Sequence, residues 1–112
     1  VRRGNGRAMT APTRQDGAQT LEKTRHREKT EDLWRVVLHN DDYTPMDFVV
    51  DVLERIYDKS PAESYRIMMK VHVEGRGVAG IYTHEVAETK ARSTVDDARE
   101  AGYPLLASVE EA

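Results

Sequence analysis

Residues 33–53 read LWRVVLHNDDYTPMDFVVDVL and contain the change from strand to helix that decides the fold. The first six residues are aliphatic, β-branched or aromatic apart from one arginine, a composition that favours a short β-strand. The run Asn40-Asp41-Asp42 favours a turn and ends that strand. Thr44 is a candidate helix cap, and Pro45 has the fixed φ that suits a first helical position. The stretch therefore predicts a strand, a polar turn and a helix.

The first predicted helix carries a single apolar face. Its acidic residues and Arg55 lie largely off that face, as expected for a helix that packs one side on a core. The face consists of Phe48, Val49, Val52, Leu53 and Ile56.

A second helix is predicted from the capping box Ser60-Pro61-Ala62-Glu63 to about His72. Its apolar residues occupy more than one stripe, so that one set can pack on the core while another lines a groove. His72, at the end of this helix, is either a core histidine or a hydrogen-bonding group beside an apolar pocket. The apolar residues are Tyr65, Ile67, Met68, Met69 and Val71.

The remaining chain predicts a strand, a helix and a strand. The turn Gly75-Arg76-Gly77 leads to a strand from Val78 to Tyr82, and Thr83 then caps a third helix that ends at Gly102. A third strand is expected from Tyr103 to Val109. The order β-α-α-β-α-β predicts a single small α+β domain, with a three-stranded antiparallel or mixed sheet packed against three helices. The third helix is expected to turn inward Val86, Ala87, Ala91, Thr94, Val95 and Ala98.

Residues 1–30 differ in composition from the rest of the 112 residues. They hold eight Lys or Arg and three Asp or Glu, whereas residues 31–112 hold nine and seventeen. Apolar residues are too few in this arm to offset the entropy of ordering it, so we predict a disordered basic arm at 1–30 and a folded domain at 31–112. Whether the native start is Val1 or Met9 stays open. Without cysteine or an apolar run of roughly 18 residues, neither a disulfide nor a membrane span is expected.

Two local features of the sequence suggest other classes of function. The run His84-Glu85-Val86-Ala87-Glu88 resembles a zinc-protease helix that lacks its second histidine, which would suggest a metal-dependent hydrolase. The basic arm would suggest a nucleic-acid-binding module, but it has no aromatic residue on which bases could stack. The adjacent oxygen ligands of Asn40-Asp41-Asp42 are too closely spaced for a calcium loop. Gly75, Gly77 and Gly80 open a strand with no helix N-terminus directly after them, so they predict no phosphate cradle. We expect no metal, no cofactor and no nucleic-acid partner.

Four runs of this sequence together closely resemble the ClpS adaptor family over about Leu33 to Val109. The family consists of adaptors, which are not enzymes. They bind proteins that begin with Leu, Phe, Tyr or Trp and deliver them to the AAA+ unfoldase ClpA, which is coupled to the ClpP peptidase. The four runs are Asn40 to Val49, Val71-His72, Glu85 to Lys90, and Pro104-Leu105-Leu106.

The resemblance also implies roles for individual residues. Met46 is expected to shape the pocket entrance so that β-branched first residues are rejected. Asn40, Asp41 and His72 would bind the amine and first peptide unit of the substrate, with Asp42 and Thr44 at the pocket edge. The hydrophobic pocket would consist of Met46, Val49, Met68, Val71 and Leu105.

The resemblance extends to partners. Glu85 and Lys90 match the stretch that contacts the N-terminal domain of the unfoldase, and the arm is expected to contribute to delivery. The implied setting is a monomer in the bacterial cytoplasm, with a plastid as the alternative.

Overall fold

A computed structural model describes residues 32–112, which form six elements in the order β-α-α-β-α-β. The three strands lie in the order β2-β1-β3, and both pairings are antiparallel. The predicted α+β class is confirmed, and the sheet is antiparallel rather than mixed. The predicted arm lies outside the described residues. The elements are β1 (Leu33–His39), α1 (Met46–Arg55), α2 (Pro61–Glu74), β2 (Arg76–Thr83), α3 (His84–Ala101) and β3 (Leu106–Glu111).

Two predicted helix boundaries are confirmed by their caps. The Ser60 hydroxyl accepts a hydrogen bond from the Glu63 backbone N–H at 3.1 Å, with proline at the first position of α2. Gly102 ends α3 in the left-handed region at φ 88°. Both signals are local in sequence, because each cap needs only residues within one helical turn.

Neither of the two predicted threonine caps makes a capping hydrogen bond through its side chain. Pro45 itself is the N-cap residue of α1, and the Thr44 hydroxyl donates instead to the Asp41 carboxylate at 2.8 Å. Thr83 does occupy the N-cap position of α3, but its side chain makes no capping hydrogen bond. A cap requires the hydroxyl to accept a hydrogen bond from a backbone N–H, whereas the Thr44 hydroxyl lies one residue before the N-cap position and donates to a nearby carboxylate.

The third strand also begins later than predicted, at Leu106 instead of Tyr103. The backbone N–H of Tyr103 donates to the Ala98 carbonyl at 2.8 Å, which belongs to the end of α3. Pro104 has no N–H to offer. The ladder with β1 therefore starts only after both residues, with His39 opposite Leu106.

One face of the sheet packs against the helices to form the core. Val36 and Leu38 of β1 are fully buried, as are Val52 and Leu53 of α1. Small residues line α3 at its buried positions Ala87, Ala91, Thr94 and Ala98, which permits close approach to the sheet. Val86, predicted to point inward, is 42% exposed because the alanine stripe, one position further along, faces the core.

A buried hydrogen-bond network joins the end of α1 to α3. The Tyr57 side chain is 3% exposed, and its hydroxyl lies 2.7 Å from Thr94 Oγ1. Thr94 Oγ1 in turn donates to the backbone carbonyl of Lys90 at 2.8 Å. Burial raises the pKa of Tyr57 to about 12, although the hydrogen bond to Thr94 acts in the opposite direction. The phenol is thus held in its neutral form.

We predict that Tyr57→Phe lowers the free energy of unfolding by about 1 kcal/mol, because one buried hydrogen bond is lost while Thr94 keeps the Lys90 carbonyl as a partner. It should also change the alkaline pH dependence. The unfolded tyrosine ionises near pH 10.0 and the folded one near pH 12, so the unfolded state holds fewer protons in that window. Stability therefore falls as the pH rises between these values.

Urea denaturation at pH 8 and at intervals from pH 10 to 12 measures both effects. Tyr65→Phe is the matched control, because Tyr65 is 58% exposed. Tyr57→Phe should lose stability less steeply than the wild type over the alkaline window. An identical alkaline slope in the two proteins would contradict this role of Tyr57.

Candidate functional site

The loop between β1 and α1 is organised by the Asp41 carboxylate. Its Oδ1 accepts hydrogen bonds from the backbone N–H groups of Tyr43 and Thr44, at 2.8 and 2.7 Å. Its Oδ2 accepts from the Thr44 hydroxyl at 2.8 Å. Burial acts to raise the pKa of Asp41, but these three hydrogen bonds outweigh it and the pKa is lowered. Asp41 is therefore an anion at neutral pH and closes the loop.

The family resemblance implied substrate binding for Asp41, whereas its structural role in the loop was not predicted from the sequence. An aspartate followed two and three residues later by free backbone N–H groups is the signal that could have found it, because such side chains commonly close local turns.

A backbone contact places the start of this loop beside the end of α2. The N–H of Asn40 donates to the Gly75 carbonyl at 2.9 Å. Gly75 is the left-handed cap of α2, with φ 94°, and its own N–H donates to the Val71 carbonyl at 2.9 Å. The polar loop and the last turn of α2 thus border the same depression.

That depression is a cleft of about 260 Å³ with an apolar floor. Val49, Met68 and Val71 are each at most 6% exposed, whereas Met46 at the edge is 44% exposed. His72 is exposed, so the interpretation of His72 as a core residue is wrong. Nine of the ten residues predicted for substrate recognition line the cleft: Asn40, Asp41, Asp42, Thr44, Met46, Val49, Met68, Val71 and His72.

Leu105, the tenth residue, does not line this cleft. It is 2% exposed and belongs to the same core cluster as Val49, Met68 and Val71. Its role in a pocket stays a prediction. Leu105 instead lines a larger depression of about 390 Å³ with Val95, Arg99, Gly102, Tyr103, Pro104 and Leu106.

The smaller cleft is the better candidate because its polar groups converge. It combines two carboxylates, an amide and an imidazole with an apolar floor, whereas the only charged side chain of the larger depression is that of Arg99. Carboxylates, amides and neutral imidazoles can accept hydrogen bonds from a cation. Sites for drug-sized ligands have about 300 Å³ or more, so this cleft suits one side chain with a polar group beside it.

Glu85 and Lys90, the predicted partner contacts, differ in their surroundings. Glu85 is exposed in the first turn of α3. The Lys90 ammonium donates to the Ile56 carbonyl at 2.6 Å and lies 5.8 and 5.3 Å from the ring centres of Tyr57 and Tyr82. Lys90 therefore stabilises the carbonyl end of α1, a role that the sequence did not reveal.

The metal-hydrolase hypothesis finds no support in the described residues. His84 Nε2 lies 3.2 Å from Glu88 Oε2, and the centre of the His84 ring lies 4.3 Å from the centre of the tilted Trp34 ring. Within residues 32–112, no three His, Asp or Glu side chains are grouped so that they could hold a metal ion. No helix in this range is long and apolar enough to cross a membrane.

The described residues thus form a small α+β domain with an acid-lined cleft over an apolar floor. The family model described as "ATP-dependent Clp protease adaptor protein ClpS" matches residues 29–108. The chain belongs to this ClpS family. It is accordingly an adaptor of a Clp ATP-dependent protease and not an enzyme.

Similar proteins agree with this assignment. The Clp protease adapter protein ClpS of Maricaulis maris is 51% identical over 96 residues, which cover 86% of this chain and 88% of that protein. The protein of the same name from Paraburkholderia xenovorans is 45% identical over 101 residues, covering 90% and 96%. The structure of Agrobacterium tumefaciens ClpS2 bound to L-phenylalaninamide matches with a TM-score of 0.71 at 40% identity. That match covers 72% of this chain and 98% of the Agrobacterium chain.

Proposed function

We propose that this adaptor binds proteins whose first residue is Leu, Phe, Tyr or Trp and delivers them to a ClpA-type unfoldase coupled to the ClpP peptidase. It does so as a monomer in the bacterial cytoplasm. The observation that carries the proposal is the convergence of hydrogen-bond acceptors over an apolar floor in one cleft. The Agrobacterium relative bound to L-phenylalaninamide supports it, because that ligand has a free α-amine beside a bulky side chain.

Asp41, with Asn40 and His72, is suited to bind the α-amine. An α-amino group has a pKa of about 7.7 to 8.0 and is mostly a cation at neutral pH, so it needs acceptors when it leaves water. The lowered pKa of Asp41 keeps its carboxylate charged for this purpose. A carboxylate offers about four acceptor positions, of which the loop occupies three, and one stays available for the amine.

The apolar floor supplies selectivity for the first side chain. Burying a Leu or Phe side chain contributes about 1.5 to 3 kcal/mol, which corresponds to a preference over Ala of about tenfold or more. The exposed Met46 lies at the edge, where its flexible side chain can narrow the entrance against branching at Cβ. The floor residues thus select for the size of the first side chain, and Met46 selects against branching at its Cβ.

Delivery requires contacts outside the cleft. Glu85 is exposed, and its side chain makes no hydrogen bond or ion pair within residues 32–112, so it is available to a partner. The Lys90 ammonium already has an acceptor within the domain. Of the two predicted contacts, Glu85 is therefore the one whose contribution to unfoldase binding can be separated from the stability of the domain.

Binding of three peptides, otherwise identical, tests substrate recognition. Fluorescence anisotropy should show tight binding of the Leu-initiated peptide, at least tenfold weaker binding of the Ala-initiated one and loss of binding on acetylation of the Leu peptide. Asp41→Ala and His72→Ala should weaken binding of the free Leu peptide, with the exposed Tyr65→Ala as a matched control. Equal binding of all three peptides would contradict first-residue recognition.

Met46→Ala should selectively improve binding of an Ile-initiated peptide relative to a Leu-initiated one, because it opens the entrance of the cleft. The ratio of the two dissociation constants, measured for wild type and variant, reports this directly. An unchanged ratio would show that Met46 does not reject β-branched residues.

Degradation of a Leu-initiated substrate by the purified unfoldase and peptidase tests delivery. Glu85→Ala and deletion of residues 1–30 should both slow degradation without changing the peptide dissociation constant. Lys90→Met should slow degradation as well. It should also lower the free energy of unfolding by about 1 to 2 kcal/mol, because it removes the hydrogen bond from the charged Lys90 ammonium to the Ile56 carbonyl. Unchanged degradation by the deletion variant would overturn the role of the arm, and unchanged degradation by Glu85→Ala would overturn that of Glu85.

A further inference from the structure

We propose that Gly77 is a specificity-determining residue, which sets the depth of the cleft by allowing Val71 to lie directly against β2. The inference rests on the proposed function of the cleft. Gly77 does not itself line the cleft, but Val71 does.

The space at Gly77 is too small for any side chain. A Cβ atom added there would lie 2.8 Å from Val71 Cγ2 and 3.4 Å from the Ile67 carbonyl oxygen. Carbon atoms in favourable contact are about 3.5 to 4.0 Å apart, so the first of these distances cannot be accommodated without a shift. The positive-φ glycines among residues 32–112 are Gly75 and Gly102, so Gly77 is required by space and not by backbone conformation.

Val71 has little freedom to move aside. It is 3% exposed, and a valine within a helix strongly prefers one χ1 rotamer because two methyl groups crowd its Cβ. The Val71 backbone nitrogen is also 3.6 Å from the added Cβ position, so the backbone of α2 lies against the strand at this point. A side chain at position 77 would therefore push Val71 away from β2.

Displacement of Val71 would change the depth of the cleft. Gly77 lies in β2 opposite Leu38 of β1, and Val71, which the added Cβ would meet, is itself part of the cleft floor. If the shift of Val71 raises the floor by part of an ångström, less depth remains for the side chain of a substrate's first residue. Trp and Phe reach deeper than Leu, so they lose more contact and suffer more overlap. Glycine at position 77 thus favours large aromatic first residues.

Gly77→Ala provides the test, with dissociation constants measured by fluorescence anisotropy for peptides that begin with Leu, Phe and Trp. We expect the affinities for the Trp and Phe peptides to fall about fivefold or more relative to that for Leu. Val78→Ala is the matched control, because Val78 is the next residue on the strand and is 37% exposed. It should leave all three affinities unchanged.

A double-mutant cycle locates the effect at Val71. Val71→Ala removes the methyl group that a Cβ at position 77 would meet, and it should shift the preference among the three peptides toward Trp. Adding Gly77→Ala to Val71→Ala should then change the three affinities no further. The single Val71→Ala variant tests the same floor if Gly77→Ala does not fold. An equal loss for all three peptides, or an effect of Gly77→Ala that persists without the Val71 methyl, would overturn the inference.

The failure of the proposed function itself would look different. In that case the wild-type chain would not distinguish the free Leu peptide from its acetylated form. If the wild type binds the free peptide and Gly77→Ala leaves the ratios of the three affinities unchanged, only the role of Gly77 is overturned.

Discussion

The hydrogen bond from the Asn40 N–H to the Gly75 carbonyl, at 2.9 Å, joins the two halves of the cleft. On one side is a loop whose carboxylates supply charge, and on the other is the end of α2, whose Met68 and Val71 form the floor together with Val49 of α1. In the proposed function neither half would recognise a first residue alone, because the amine needs acceptors and the side chain needs burial. The left-handed conformation of Gly75, with φ 94°, allows the chain to turn so that both halves meet.

Asp41 has an observed structural role in the loop and, in the proposed function, a binding role as well. Its two oxygens close the loop through three hydrogen bonds, and the same bonds lower its pKa so that it stays charged. In the proposed function, the acceptor of the amine would thereby be fixed in place before any ligand arrives, which would reduce the entropy lost on binding. The network of Tyr57, Thr94 and Lys90 that joins α1 to α3 shares no residue with the cleft. Stability can therefore be changed through this network without altering a residue of the cleft.

The sequence predicted what depends on neighbouring residues. The element order, the Ser60 cap and the Gly102 cap follow from local patterns, and the family resemblance selected nine residues that the fold brings together. Contacts between distant segments were not predictable. The Lys90 ammonium reaches Ile56 across the packed helices, and Gly77 meets Val71 only because α2 lies against β2. The wrong cap at Thr44 has a local origin, because α1 begins only at Met46 and the Thr44 hydroxyl donates to Asp41 instead of accepting from a helix N–H.

The central claim is that the smaller, acid-lined cleft receives the first residue of a substrate. The most direct measurement is a titration of the isotope-labelled full chain with L-leucinamide, followed by amide NMR shifts. The account predicts the largest shifts at residues 40–46 and 68–72, with little change at 102–106. Shifts concentrated at 102–106 would place the ligand in the depression between α3 and β3 and would contradict the account.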